Sequence, residues 1–189
     1  LCNTSRINIL GGSMLMYMTR DWLANYSARI SNNIILEARG NLQKFAAARI
    51  QLFLSHSHSD IDLVEQARLF FASQGAEVYV DWKDRSMPAI TSPQTAQKIK
   101  DRIVKCKKFV LLATDRALDS RWVPWELGFA DGRIHPANIT VLPVTDSAGR
   151  WHGSEYVGVY SKVENNSQGL WVVNSPDGQS IMLKNWLLQ

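Results

Sequence analysis

Short apolar segments alternating with amphipathic ones point to an α/β protein built on a parallel sheet with helices on both faces. Three observations carry that reading. Apolar runs recur at Ile50–Leu54, Ala76–Val80, Phe109–Ala113 and Ile139–Val144. Segments with helical spacing separate them. The strand–helix rhythm also leaves room for the right-handed crossovers that parallel neighbours require.

Taken in order, residues 14–48 are helix-prone, with Trp22-Leu23, Ile34-Ile35-Leu36 and Leu42 to Ala48 interrupted chiefly by Gly40. We read residues 1–48 as a helical N-terminal arm and 49–189 as the main domain with a C-terminal extension. Ile50–Leu54 is a buried strand that ends in the polar break Ser55-His56-Ser57-His58-Ser59-Asp60. From Asp60 the apolar residues Leu63, Val64, Ala67, Phe70 and Phe71 share one helical face, and Gly75 stops the pattern. Ala76–Val80 is the second strand, and Asp81 to Pro93 is a long loop. A helix from Gln94 to Cys106 presents Ala96, Ile99 and Ile103 on one side. Phe109–Ala113 is apolar throughout, as a strand buried on both faces must be. A further helix starts at Asp119 or Ser120, because either can cap it and Pro124 is tolerated in a first turn. Ile139–Val144 is the fourth strand. Leu170–Val173 reads as an edge strand and Ile181–Leu188 as a final helix.

Composition excludes several classes. With 46% hydrophobic and 20% charged residues the chain is neither disordered nor membrane-embedded, and no apolar run approaches the roughly 18 residues of a membrane span. The first 18 residues lack a basic leader and a small-residue cleavage site, so no export signal is read and a cytoplasmic location is expected. Cys2 and Cys106 are too few for a disulfide framework. The net charge of +4 raises the question of nucleic acid, but the basic residues between Lys98 and Lys108 alternate with Ile99, Ile103, Val104 and Cys106. They read as the solvated side of an amphipathic helix, so nucleic acid is not the expected partner.

Chemistry concentrates in Trp122-Val123-Pro124-Trp125-Glu126. Trp122 and Glu126 stand four apart on one helix and Trp125 adjoins the acid, which puts one carboxylate beside two indoles. The macrodipole near a helix start favours the ionised acid by about 0.3–1 kcal/mol. Ligands of open α/β sheets gather outside the carboxyl ends of the strands. Three pieces meet there: the Ser55–Asp60 segment, the Asp81–Pro93 loop and the Trp122–Glu126 helix start. His56 and His58 lack a third ligand at metal-binding spacing, so no metal site is read. No Gly-x-Ser-x-Gly elbow marks a serine hydrolase, and Ser55-His56-Ser57-His58 is not the acidic cluster of a phosphoacceptor domain.

Leu52-Phe53-Leu54-Ser55-His56 with Asp60, then Val78-Tyr79-Val80-Asp81-Trp82, and finally Ser120-Arg121-Trp122-Val123-Pro124-Trp125-Glu126-Leu127 together resemble the TIR (Toll/interleukin-1 receptor) domain family. The likeness covers about residues 50 to 145 and extends to Gly153-Ser154-Glu155-Tyr156 and Tyr160 in stand-alone bacterial members of the antiphage, Thoeris-like kind. It implies a flavodoxin-like sheet and cleavage of NAD+ at the nicotinamide–ribose bond, with Glu126 as the catalytic residue. It further implies that Phe53, Ser55, His56, Trp82, Trp122 and Trp125 contact the substrate or flank the acid. Many relatives carry Pro-Gly in the loop called BB, whereas Pro88 is followed here by Ala89. On this resemblance NAD+ is substrate rather than resident cofactor. The product is ADP-ribose or a cyclic ADP-ribose-type signal, and the partners are further copies of the chain and a downstream effector that binds the product. The alternative is a non-catalytic TIR adaptor acting by self-association. The chemistry stands on the residues as well. Nicotinamide leaves NAD+ as a neutral molecule, so one carboxylate can suffice where a glycosidase normally needs two.

Overall fold

The computed structural model describes residues 8–10, 13–38, 50–84, 92–146 and 150–189. In chain order, β1 (Asn8–Leu10) and β2 (Ser13–Leu15) form an antiparallel pair, followed by β3 (Met18–Thr19) and α1 (Arg20–Ala38). The sequence then runs through β4 (Ile50–Ser55), α2 (Ile61–Ser73), β5 (Ala76–Tyr79), α3 (Pro93–Lys105), β6 (Lys108–Ala113), α4 (Asp115–Leu118), α5 (Trp122–Asp131) and β7 (Ile139–Thr145). It closes with β8 (Ser161–Asn165), β9 (Trp171–Asn174), β10 (Ser180–Met182) and α6 (Leu183–Leu188).

The main sheet has the order β10-β9-β8-β7-β6-β4-β5. Strands β5, β4, β6, β7 and β8 are parallel neighbours, while β8, β9 and β10 pair antiparallel. The α/β architecture with helices on both faces is therefore as expected, but the sheet is mixed rather than wholly parallel. Alternation along the strands sorts two cores. Leu52, Leu54, Val110, Leu112 and Leu142 face α1, α2 and α6, whereas Phe53, Phe109, Leu111 and Val141 face α3 and α5. The five apolar positions assigned to one face of α2 are all buried, and Gly75 follows with φ of 103°, a conformation that suits a residue without Cβ.

The structure revises expectation most at the C-terminal strands and at the Trp-rich helix. Leu170–Val173 was expected at an edge, but β9 lies inside the sheet, because Val173 pairs with Val163 on one side and Ile181 on the other. The final helix begins at Leu183 rather than Ile181, since Ser180–Met182 is taken into β10. The Trp-rich helix begins at Trp122: Asp119 N–H donates to Asp115 O and Ser120 N–H to Ala117 O, so both residues close α4 instead. Ser120 Oγ still accepts the Trp122 N–H at 3.2 Å, and Pro124 remains in the first turn.

The N-terminal segment docks closely on the core. β3 lies parallel to the end of β7, with Met18 opposite Val144 and Thr19 opposite Thr145, and Met18 and Leu23 are fully buried. Trp22 stacks on Tyr26 at 4.7 Å and meets Phe70 and Trp171 edge-on, while the Tyr26 hydroxyl hydrogen-bonds Ser73 Oγ at 2.9 Å. Trp22→Ala is expected to cost about 2–4 kcal/mol, which lowers Tm by roughly 6–12 °C, whereas the exposed Asn25→Ala leaves it unchanged. Paired melting curves check this, and equal Tm values would show that the segment contributes little to the fold. Among the described residues no helix is long and apolar enough to cross a membrane.

Candidate active site at the carboxyl end of the sheet

Ser55 is the last residue of β4 and points to the α5 side, two residues beyond Phe53 on the same face. Glu126, in the second turn of α5, meets it: Ser55 Oγ donates to Glu126 Oε2 at 2.5 Å, and both residues are buried, Glu126 with only 6% exposure. Burial pushes the Glu126 carboxyl up to about 8; the Ser55 hydrogen bond opposes the rise and the Asp81 charge adds to it. The expectation of an ionised acid at the helix start is thereby reversed. A displacement from 4.5 to about 8 is worth about 5 kcal/mol, several times the dipole's contribution.

His56 follows with its ring buried. Nδ1–H donates to Leu54 O at 2.9 Å, and Nε2 lies 3.4 Å from Asp81 Oδ1 without a hydrogen-bond donor. Burial draws the His56 pKa below its ordinary value, against the pull of Asp81. The neutral ring thus offers a buried acceptor beside a carboxylate. Asp81 Oδ1 takes the Trp82 N–H at 2.8 Å, and the exposed His58 approaches Oδ2 at 3.7 Å. Among the described residues no three His, Cys, Asp or Glu side chains gather as metal ligands.

The aromatic residues take different stations. Trp122 is half-buried and meets Trp125 edge-on at 5.2 Å. Trp125 stacks on Phe129, and Lys100 Nζ of α3 lies 5.6 Å from its ring. Trp82 is 40% exposed on the turn after β5, with Lys83 Nζ 5.0 Å from its ring. Phe53 is only 2% exposed, sandwiched between Tyr79 at 5.5 Å and Phe109 at 5.6 Å. It forms the floor under Ser55 rather than a face open to a ligand. Pro88 and Ala89 lie outside the described residues.

Two further groups frame this end of the sheet without having been assigned a role from the sequence. Asp60, read as a helix-start residue, has a fully buried side chain held by Thr114 Oγ1 at 2.5 Å, Arg20 at 3.2 Å and Arg116 at 3.6 Å. It ties α1, the β4–α2 connection and the end of β6 together. Trp151 donates its indole N–H to Ala113 O at 2.8 Å and meets Tyr17 edge-on. Gly153, at φ of 66°, lies so close to that indole that a Cβ would stand 3.3 Å from it. A tryptophan beside a glycine turn, just ahead of Ser154-Glu155-Tyr156, was the available signal.

The TIR domain profile matches residues 52–162, which takes in the parallel strands β4 to β7 and helix α5. The chain belongs to the TIR domain family. It is similar to the protein named "Probable 3' cyclic ADP-D-ribose synthase ThsB'" of Bacillus cereus (strain MSX-D12), with 30% identity over 169 residues covering 84% of this chain and 85% of that one. It is also 30% identical over 82 residues to the "Putative cyclic ADP-D-ribose synthase TIR2" of Cytobacillus dafuensis, a match covering 42% of this chain and 22% of that protein.

Proposed function

We propose that the chain cleaves the nicotinamide–ribose bond of NAD+ and passes the ADP-ribosyl group to water or to an acceptor within the same molecule, giving linear or cyclic ADP-ribose. The observation that carries this reading is the Ser55–Glu126 pair: an acid buried beyond the end of β4 on the helix that carries Trp122. The similarity to two proteins named as cyclic ADP-ribose synthases supports it. We further propose a signalling role in antiphage defence, with a separate protein that binds the product.

In the proposed reaction the C1'–N bond breaks with its electron pair going to nicotinamide, which leaves neutral and needs no acid. The ionised Glu126 lies against the developing ribosyl cation, where a preorganised carboxylate in a dry site counts most. The ring charge itself favours that ionisation, because a neighbouring cation lowers a carboxyl pKa. Trp122 offers a face to the pyridinium ring. The unpaired His56 Nε2 accepts from a ribose hydroxyl, which satisfies the one buried side-chain atom left without a partner among the described residues. The attacking hydroxyl then bonds to C1' and releases its proton to Glu126.

The direct test is incubation of the purified chain with NAD+, with nicotinamide release followed by chromatography and the product weighed by mass spectrometry; a cyclic product is lighter than linear ADP-ribose by one water. We further propose that TIR–TIR contacts between copies complete the site. Specific activity is therefore expected to rise severalfold across about a hundredfold increase in protein concentration, with assembly followed by light scattering. Constant activity per molecule with only monomer present would remove self-association from the mechanism. Assembly without any nicotinamide release would favour the adaptor reading.

A further inference from the structure

The opposite end of the sheet carries a second concentration of charge that the proposed chemistry does not use. Ile50 starts β4, Lys108 starts β6 and Asn138 precedes β7, so all three lie at the amino ends of the strands. Ser55 closes β4 five residues on, roughly 16 Å away at strand rise. Around these amino ends lies a cavity of about 280 Å³, lined by Lys105, Lys107, Lys108, Arg133 and Asn138 together with Gln189 and the apolar neighbours of these residues. That is several times the ~30 Å³ a water molecule occupies in the liquid. No Asp or Glu is among its lining residues.

Lys108 is the anomaly. Lys105, Lys107 and Arg133 are exposed and need no counter-charge, but Lys108 is 1% exposed. Its ammonium donates to Asn138 Oδ1 at 2.6 Å and stands 4.5 Å from the Trp186 ring, and among the described residues no carboxylate lies within ion-pairing distance. An ammonium has three donors and one is accounted for by Asn138. Buried charges are ordinarily paired, since an unpaired one retains its full desolvation cost. Burial accordingly draws the Lys108 pKa down to about 8. A core position filled for packing alone would take a methionine or leucine at no such cost. An anion in the adjoining cavity would supply the missing partner, and three rim cations would attract and hold it.

We propose that this cavity is a second ligand site, taking a phosphoryl group, free or carried on a small molecule, with Lys108 at its base and Lys105, Lys107 and Arg133 at its rim. A dianion matches a lining of three lysines and an arginine better than a monoanion, and the arginine adds a planar fork suited to phosphate oxygens. The site is separate from Glu126 and stands independently of the NAD+ reading.

The test uses the full chain, titrated by calorimetry and thermal melting with inorganic phosphate and with ribose 5-phosphate, against chloride at matched ionic strength. One saturable site is expected, with a Tm that rises with phosphate and not with chloride. Lys108→Met keeps the aliphatic stem and removes the charge, and is expected to weaken phosphate binding at least tenfold; Arg133→Gln is expected to weaken it severalfold. Glu126→Gln should bind phosphate as the parent does, which separates this site from the NAD+ site. Tighter binding of ribose 5-phosphate than of inorganic phosphate would identify the ligand as a phosphorylated small molecule; equal binding would identify phosphate itself. The proposal is overturned by chloride acting as well as phosphate, or by undiminished binding to Lys108→Met. Should Lys108→Met fail to fold, Lys105→Gln combined with Arg133→Gln decides, and unchanged affinity there overturns the proposal equally.

Discussion

Glu126→Gln is expected to abolish NAD+ cleavage, by at least about a thousandfold in kcat, while making the protein more stable than its parent at neutral pH. Both effects come from the same burial. The native carboxyl holds its proton up to about pH 8, whereas in the unfolded chain it ionises near 4.5. Between those values the unfolded state gives up a proton that the native state keeps, so rising pH favours unfolding by about 1.4 kcal/mol per unit. At pH 7 the accumulated loss is about 3 kcal/mol, and it levels off above pH 8. Glutamine is nearly isosteric with the protonated acid and suffers no such loss. The stability gap between the two proteins is therefore expected to open from pH 4.5 upward and to close again in acid. The rate has the opposite dependence on pH, because the ionised form does the work: kcat/KM of the parent should climb about tenfold per pH unit and flatten near pH 8. Melting curves and nicotinamide release measured from pH 5 to pH 9 check both. A well-folded Glu126→Gln protein with parental turnover would remove Glu126 from catalysis, and a pH-independent stability gap would show that the acid is ionised in the native state.

The burial behind that prediction was the part least open to reading from residue order. Helix α2 was legible because thirteen consecutive residues repeat one apolar face and a left-handed glycine follows. Strand β6 was legible because its apolar run is unbroken. In β4, however, Leu52, Phe53 and Leu54 are all apolar, so nothing in the order of residues says what each of them packs against; Phe53 lies between Tyr79 and Phe109 and is only 2% exposed. Strands β8 and β10 are short, with a single buried apolar residue in β8 and none in β10, too little to register as strands until β9 pairs with both. The Ser55–Glu126 contact spans 71 residues and the Thr114–Asp60 contact 54. Local spacing could nominate Glu126, but the contact that defines its environment arises only when β4 and α5 are brought together.

Replacing Trp122 separates a ring that holds substrate from one that merely packs. Its position argues for both. The indole is half-buried, wedged edge-on against Trp125, whose own ring is occupied by Phe129 on α5 and by Lys100 from α3. On the proposed function, Trp125 would serve as the backing and Trp122 as the member of the pair that meets the ligand. Trp122→Phe keeps an aromatic face against Trp125 and is expected to retain turnover within a few-fold of the parent, since a phenyl ring still attracts a cation, though less than indole does. Trp122→Ala removes a cation–π attraction of about 0.5–2 kcal/mol, up to roughly thirtyfold in rate. It also removes the surface that orients the scissile bond toward Glu126, so a loss beyond thirtyfold is expected. Stability moves less, because a half-buried ring gives up less than the about 3–5 kcal/mol of a fully buried tryptophan. Tm and NAD+ turnover are to be measured on both variants at a temperature where each is folded, with turnover expressed per folded molecule. A Trp122→Ala protein that melts earlier yet turns over at the parental rate would show that the ring only packs, and would leave Glu126 to act without an aromatic platform.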